Sequence, residues 1–235
     1  MKAKSDLLTA ARQKPASAAP PRVGRRATVR MPATERREQI LSKAFEFFSE
    51  YGLTAQTRAL AEACGVSQRL LYSVFPSKSA LLSAVYEAEI AGVFKAVWFV
   101  QLRERSKPMA QRLNTFYREY YDAVLTRRWM RLFLYASLAE VEMASTYISS
   151  IIMQLLDTVI EESAHEAGLS LPANRAEQQE IAWILHGAIS HLAIRRHIYH
   201  NDSAIPVERV IDLQVRSFLG GLPLVLQADA ANQRK

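Results

Sequence analysis

From Thr34 onward the apolar residues of this chain recur every three or four positions, and no stretch alternates apolar with polar in the manner of a half-buried strand. Glycine and proline are sparse there, and they punctuate the periodic runs rather than interrupt them. Breaks are expected near Ser106–Pro108, Gly168–Pro172, Asn201–Pro206 and Gly220–Pro223. That pattern restricts the fold to an all-α architecture of about nine or ten helices. With 235 residues, 49% of them apolar, the chain can bury a core of that size.

The first run places Ile40, Leu41, Ala44, Phe45 and Phe48 on one face, with Glu38, Lys43, Glu46 and Glu50 elsewhere. Thr34 is the expected N-cap of this helix and Gly52 its C′ residue, for a length of roughly 16 residues. Thr57 is expected to cap a short second helix through Cys64, whose inner face is Leu60, Ala61 and Cys64. Gly65 breaks it, Ser67 caps a third helix to about Phe75, Pro76 stops that helix, and Ser77 caps a fourth. Short helix, glycine turn, short helix is the outline of a helix-turn-helix. The expected organisation is a basic arm over 1–31, a three-helix helix-turn-helix domain over 32–82, a larger helical bundle over 83–225, and a tail over 226–235.

Charge is distributed unevenly. Residues 1–31 hold eight basic side chains against Asp6 alone, while the remaining 204 residues hold 22 basic and 22 acidic ones. The net charge of +7 is therefore that of one terminal segment, rich in Ala and Pro and without apolar periodicity. Such a segment is expected to be disordered when free. A basic arm on a neutral body suits an anionic polymer or surface; a solubilising tail is the alternative.

The third helix, "SQRLLYSVF", has two faces. Val66, Leu71 and Phe75 fall on the side toward Leu60, Ala61 and Phe45. Gln68, Arg69, Tyr72 and Ser73 fall opposite. No carboxylate occurs between Ala63 and Glu87, as a surface meeting phosphates requires. Arg69 has the donor geometry for guanine O6 and N7, and Gln68 that for adenine. Tyr72 can bond a phosphate oxygen or pack on a sugar. Lys78, with the N–H groups opening the fourth helix, can hold another phosphate, and Thr57 can do so at the start of the second. Arg58 and Ser67 complete the candidate surface. Arg26 and Arg30, with Arg22 and Arg25, are expected to add phosphate attraction or to enter a flanking minor groove.

The stretch "RREQILSKAFEFFSEYGLTAQTRALAEACGVSQRLLYSVFPSKSALLSAV" resembles the DNA-binding domain of the TetR family of bacterial transcriptional regulators. The likeness rests on the apolar pattern of the first helix, Gly52, Thr57 with Leu60-Ala61, Gly65-Val66-Ser67, Leu71-Tyr72, Phe75 and Ser77-Lys78. It implies a homodimer that sets two recognition helices in successive major grooves of a near-palindromic double-stranded operator. Three positions depart from the family's pattern. Arg69 stands where a small residue is common, Leu70 where Thr or Ser is common, and Val74 where a polar or aromatic residue is expected. Leu70 either contacts a thymine methyl or packs sideways on a neighbouring helix.

Beyond the fourth helix there is composition but no motif. Trp98, Tyr117, Tyr121, Phe133, Met153, Trp183 and His186 are the candidates for an effector pocket, with core packing as the alternative for each. The resemblance implies a small-molecule effector here, and the aromatic and Met supply favours an apolar or aromatic one over a sugar. It also implies dimerisation through the last two long helices, about 177–200 and 207–219. In the resembling mechanism, effector binding moves the helix joining the two parts, around 80–105. Repression relieved by the effector is the expected mode. Control by a protein partner or by abundance, without an effector, is the other reading.

Arg118, Arg127, Arg128 and Arg131 fit either a carboxylate or a solvated face. His197 and His200 lack a Cys or close acid to complete a metal site, so no metal or cofactor is expected. No P-loop, G-x-S-x-G or H-E-x-x-H occurs, so catalysis is not expected. From the single Cys64, the absence of an apolar leader and the absence of a membrane-length apolar run, a cytoplasmic, nucleoid-associated protein is the expectation.

Overall fold

The computed structural model describes residues 31–139, 142–201 and 203–232, with side chains described as far as residue 226. The arm residues Arg26 and Arg30 lie outside the described residues. Among the described residues every regular element is helical. Eleven α-segments occur: α1 (Ala33–Tyr51), α2 (Thr57–Ala63), α3 (Gln68–Val74), α4 (Lys78–Val85), α5 (Val97–Leu102), α6 (Met109–Ala123), α7 (Arg127–Leu138), α8 (Glu142–Tyr147), α9 (Met153–Ala167), α10 (Arg175–His197) and α11 (Val207–Asn232). A π-helical stretch, Ile148–Ile152, fuses α8 to α9, so the segments form ten rods. Another, Tyr86–Ala91, prolongs α4.

The fused rod Glu142–Ala167 is long and apolar enough to cross a membrane by composition alone. Half of its most apolar window is buried against other helices, and Glu162 within it is buried in ion pairs. It packs as a core helix.

Local chemistry sets the helix ends. Gly65 sits at φ +68°, and behind it the Val66 N–H bonds the Ala61 carbonyl while the Gly65 N–H bonds that of Glu62. This paired closure of α2 needs a left-handed residue, which glycine adopts without strain. Ser67 accepts from Leu70 N at 3.2 Å and Ser77 from Ala80 N at 3.0 Å, so both expected caps form. Two others do not. Thr34 lies inside α1, which begins at Ala33, and Gln56 rather than Thr57 occupies the cap position of α2, without a side-chain bond.

The core runs from α1 to α11 as one cluster of buried residues. In α1 it takes Ile40, Leu41, Ala44, Phe47 and Phe48, while Phe45 is only half-buried. Phe47 thus joins Phe48 inside in place of the expected Phe45, and meets it edge-on at 6.1 Å. At the far end of the bundle a buried guanidinium knits the α5–α6 turn to α9. Arg112 donates to the Leu102 and Lys107 carbonyls and pairs with Glu162 and Glu166, each at 3.0 Å. Glu166 also accepts from Met109 N at the start of α6. α11 does not end at Gly220 but continues through Pro223, because Leu222 and Leu226 are buried on its inner face.

Candidate nucleic-acid interface and effector pocket

α3 lies on α2 through Leu71 and Phe75, which are buried, with Val66 and Val74 packed half-buried beside them. Gln68, Arg69, Tyr72 and Ser73 are exposed on the opposite face. Leu70 is half-exposed at the edge of that face, whereas Val74 belongs to the core side. Of the remaining candidates, Arg58 and Ser67 are exposed and Thr57 is partly exposed at the start of α2.

Several of these groups already serve the helices that carry them. The Ser67 oxygen caps α3, which leaves its hydroxyl proton to donate outward. Ser73 donates to the Leu70 carbonyl at 2.7 Å. The Lys78 ammonium donates to the Ala55 carbonyl at 2.8 Å and lies 5.9 Å from the Phe48 ring centroid. It therefore pins the α1–α2 turn to α4. Arg37, not anticipated from the sequence, stands 5.1 Å from the Phe75 ring centroid and brings a cation from α1 beside α3.

The head is joined to the body through α7. Arg131 donates to the carbonyls of Ser49 and Glu50, the last turn of α1, and to Tyr135 Oη at 3.0 Å. The Gly52 N–H takes the Phe48 carbonyl at 2.9 Å, so three terminal carbonyls of α1 are satisfied. Arg127 pairs with Glu50, and Arg128 with Glu46 at 3.1 Å. The Arg127 hydrogen bond holds the Glu50 carboxyl below its usual range. These arginines form an interhelix clasp. Arg118, on α6, is exposed.

Within the body a pocket of about 170 Å³ opens between α6, α7, α8 and α10. Trp129, Phe133, Tyr147, Trp183 and His186 form most of its aromatic wall, and Tyr120, Ser190 and Ile194 also reach it. Trp129 and Phe133 stack at 4.7 Å and 11°, and Tyr147 meets Trp129 edge-on. Of the pocket candidates, Phe133, Trp183 and His186 come together here. Trp98 is core, its indole N–H on Glu119 at 2.8 Å. Tyr117 and Tyr121 are buried on α6 and Met153 is half-buried on α9, none of them lining this pocket. Tyr120, Trp129 and Tyr147 do line it and were not picked out as pocket residues, since spacing within one helix cannot say which helices converge.

His186 is buried, its Nδ1 lacks a hydrogen-bond partner, and burial lowers its pKa to about 4. The imidazole is therefore neutral at pH 7. Among the described residues no group of three His, Cys, Asp or Glu side chains converges as a metal site would need.

Residues 40–85 match the model of a family described as bacterial regulatory proteins, tetR family. No curated protein sequence matches the chain closely. Solved structures share its fold. A TetR-like transcriptional regulator from Rhodococcus sp. RHA1 is 21% identical with a TM-score of 0.62, over 83% of this chain and 99% of its own. A TetR-family transcriptional regulator from Streptomyces coelicolor is 20% identical, with a TM-score of 0.55 over 85% and 91% of the two chains. The fatty acid degradation regulator FadR from Bacillus halodurans is 16% identical, with a TM-score of 0.59 over 80% and 96%. The N-terminal helices are thus of the TetR type, and the chain as a whole has the fold of those regulators.

Proposed function

We propose that this chain is a sequence-specific DNA-binding regulator of transcription, and that it acts as a homodimeric repressor released by a small effector. The observation that carries the reading is the outer face of α3. Gln68, Arg69 and Tyr72 project from a short helix fixed by a glycine turn and a serine cap, with no carboxylate between Ala63 and Glu87. Such a helix fits the major groove, with Arg69 donating to guanine, Gln68 to adenine, and Tyr72 and the Ser67 hydroxyl to the backbone. Arg58 and Arg37 supply flanking charge. Lys78 acts first by positioning the turn ahead of α2. Arg26 and Arg30 of the arm add sequence-independent attraction.

Dimerisation is assigned to α10 and α11. Ile184, Leu213 and Leu224 are exposed there, around a groove lined by Ile181, Ala188, Phe218 and Val225. Gly187 faces open space, which suits the close approach of a second helix. Two copies joined on this face give two α3 helices and a near-palindromic site.

The effector half of the reading rests on the aromatic pocket and on α7. That helix carries Trp129 and Phe133 in the pocket wall and Arg127, Arg128 and Arg131 on α1. The Trp129 indole N–H also points to the Ile90 carbonyl at 3.5 Å, in the stretch that prolongs α4. A ligand that shifts α7 would therefore act on α1 and α4 together, and with them on the spacing of the two α3 helices. The coupling requires only that the ligand bind one arrangement better than the other.

Selection of DNA fragments by the purified full-length protein tests the reading. Enrichment of one motif with two-fold symmetry is the expected result. Enrichment no better than random, at a salt concentration where binding is retained, refutes it.

A further inference from the structure

The aromatic pocket specifies its occupant by size, charge and hydrogen bonding. We infer that it takes a single-ring or indole-sized aromatic molecule that is uncharged and carries one hydroxyl or N–H, a phenol rather than a carboxylate, a fatty chain or a sugar. This rests on the effector reading for its consequence at DNA, but not for the binding itself.

Size comes first. An apolar cavity of about 150 Å³ accommodates one benzene ring. At about 170 Å³ this pocket has room for a ring with a small substituent, and a long acyl chain would have to leave part of its length outside it. Its wall is made of ring faces and edges. Trp129 and Phe133 stack in parallel, while Tyr147 and Trp183 present edges, to Trp129 and to His186 respectively. A flat aromatic guest can meet both faces and edges in the offset and edge-on geometries such rings favour.

Charge comes next. Among the described residues the lining includes no Arg, Lys, Asp or Glu. A carboxylate or ammonium entering it would lose its hydration without a counter-charge. His186 is the one lining residue whose ordinary pKa lies near neutrality, and burial keeps it neutral.

Hydrogen bonding completes the selection. His186 is only 3% exposed, and its Nδ1 is without a partner. Ser190, one turn further along α10, adds a hydroxyl to the same lining. The Tyr120 and Tyr147 hydroxyls lie 3.3 Å apart, and whichever accepts keeps its own proton. The polar groups of the wall are thus His186, Ser190 and one of these phenols. A guest hydroxyl can donate to or accept from an imidazole nitrogen, so it satisfies either tautomer.

The probes are p-cresol, toluene, benzoate and decanoate, added to the full-length protein. Trp129 and Trp183 both line the pocket and Trp98 does not, so tryptophan emission reports occupancy; the melting midpoint is read in parallel. p-Cresol should quench emission saturably and raise the midpoint. Toluene, which has the ring without the hydroxyl, should bind about three- to tenfold more weakly, the worth of one net hydrogen bond. Benzoate and decanoate should bind more weakly still.

In His186→Phe the preference for p-cresol over toluene should fall while toluene still binds, a ratio that a merely structural role would not change. Ser190→Leu, from a half-buried position, should fill the pocket and weaken every probe. If His186→Phe fails to fold, the four-probe order and Ser190→Leu still decide. Benzoate or decanoate binding as tightly as p-cresol, no response to p-cresol at millimolar concentration, or undiminished binding by Ser190→Leu would each overturn the inference. Binding to selected DNA is measured separately. Its retention without ligand, alongside failure of all probes, refutes this inference and leaves DNA recognition standing. Saturable p-cresol binding with no effect on DNA supports the inference and refutes the coupling.

Discussion

Replacing Arg131 with Leu should loosen the head from the body far more than removing either neighbouring arginine. Its side chain is about three-quarters buried and its guanidinium donates to two backbone carbonyls at the end of α1. Those carbonyls have no intrahelical partner, and with Arg131 gone only water can replace it. Hydrogen bonds from a charged donor contribute about 1.5–3 kcal/mol each, and these carbonyls lie near enough to solvent to place both at the low end, about 3 kcal/mol together. In a chain of this length each kcal/mol moves the midpoint by about 2–4 °C, so Arg131→Leu should lower it by about 6–12 °C. Arg127 and Arg128 make exposed ion pairs instead, and Ala at either should move the midpoint by no more than about 4 °C. Thermal melts at one fixed protein concentration read the difference, and amide exchange in the last turn of α1 localises it. Equal shifts for Arg127→Ala and Arg131→Leu, or unchanged exchange at Phe48–Gly52 in Arg131→Leu, would refute the carbonyl-capping argument.

Arg112→Ala takes one of two cations from Glu162, which keeps Arg105, and leaves the Leu102 and Lys107 carbonyls without their donor, so it should cost about 1.5–3 kcal/mol in urea denaturation; a loss under about 1 kcal/mol contradicts that. His186 has a folded pKa of about 4 against an ordinary 6.5. As pH falls through that window the unfolded chain protonates first, so its contribution to stability is intact above pH 6.5, shrinks by up to about 3 kcal/mol towards pH 4, and is constant below. The stability of the wild type relative to His186→Phe should therefore fall by up to about 3 kcal/mol on acidification, and parallel curves would show that His186 is not buried neutral. A chain beginning at Thr34 should bind DNA more weakly and with a shallower salt dependence than the full chain; the same affinity and slope would remove the arm from the interface.

The helix-turn-helix was legible because its determinants are local. Gly65, Ser67, Pro76 and Ser77 act within a few residues of themselves, and two serine caps and a glycine turn form where their spacing puts them. Phe47 was not legible as the buried aromatic. Phe45, Phe47 and Phe48 crowd within a single turn, and which of them go inward depends on packing beyond α1. The same holds for Pro223. A proline in a helix interior costs about 3 kcal/mol by itself, and burial of Leu222 and Leu226 outweighs it. Arg131, Arg112 and Trp129 act across 39 to 82 residues of sequence, on Ser49, Glu162 and Ile90. No window along the chain contains both partners, so their roles emerge only from the fold.

The central claim is that the outer face of α3 reads DNA sequence. The most direct test is the ratio of affinities for a selected site and for random DNA, measured at one salt concentration with wild type and Arg69→Ala. A bidentate arginine–guanine contact is worth about 1–3 kcal/mol of discrimination and the dimer makes two, so Arg69→Ala should lower the ratio by at least about 30-fold and leave random-sequence binding nearly unchanged. An unaltered ratio, with both affinities intact or both reduced in parallel, would contradict base reading by Arg69.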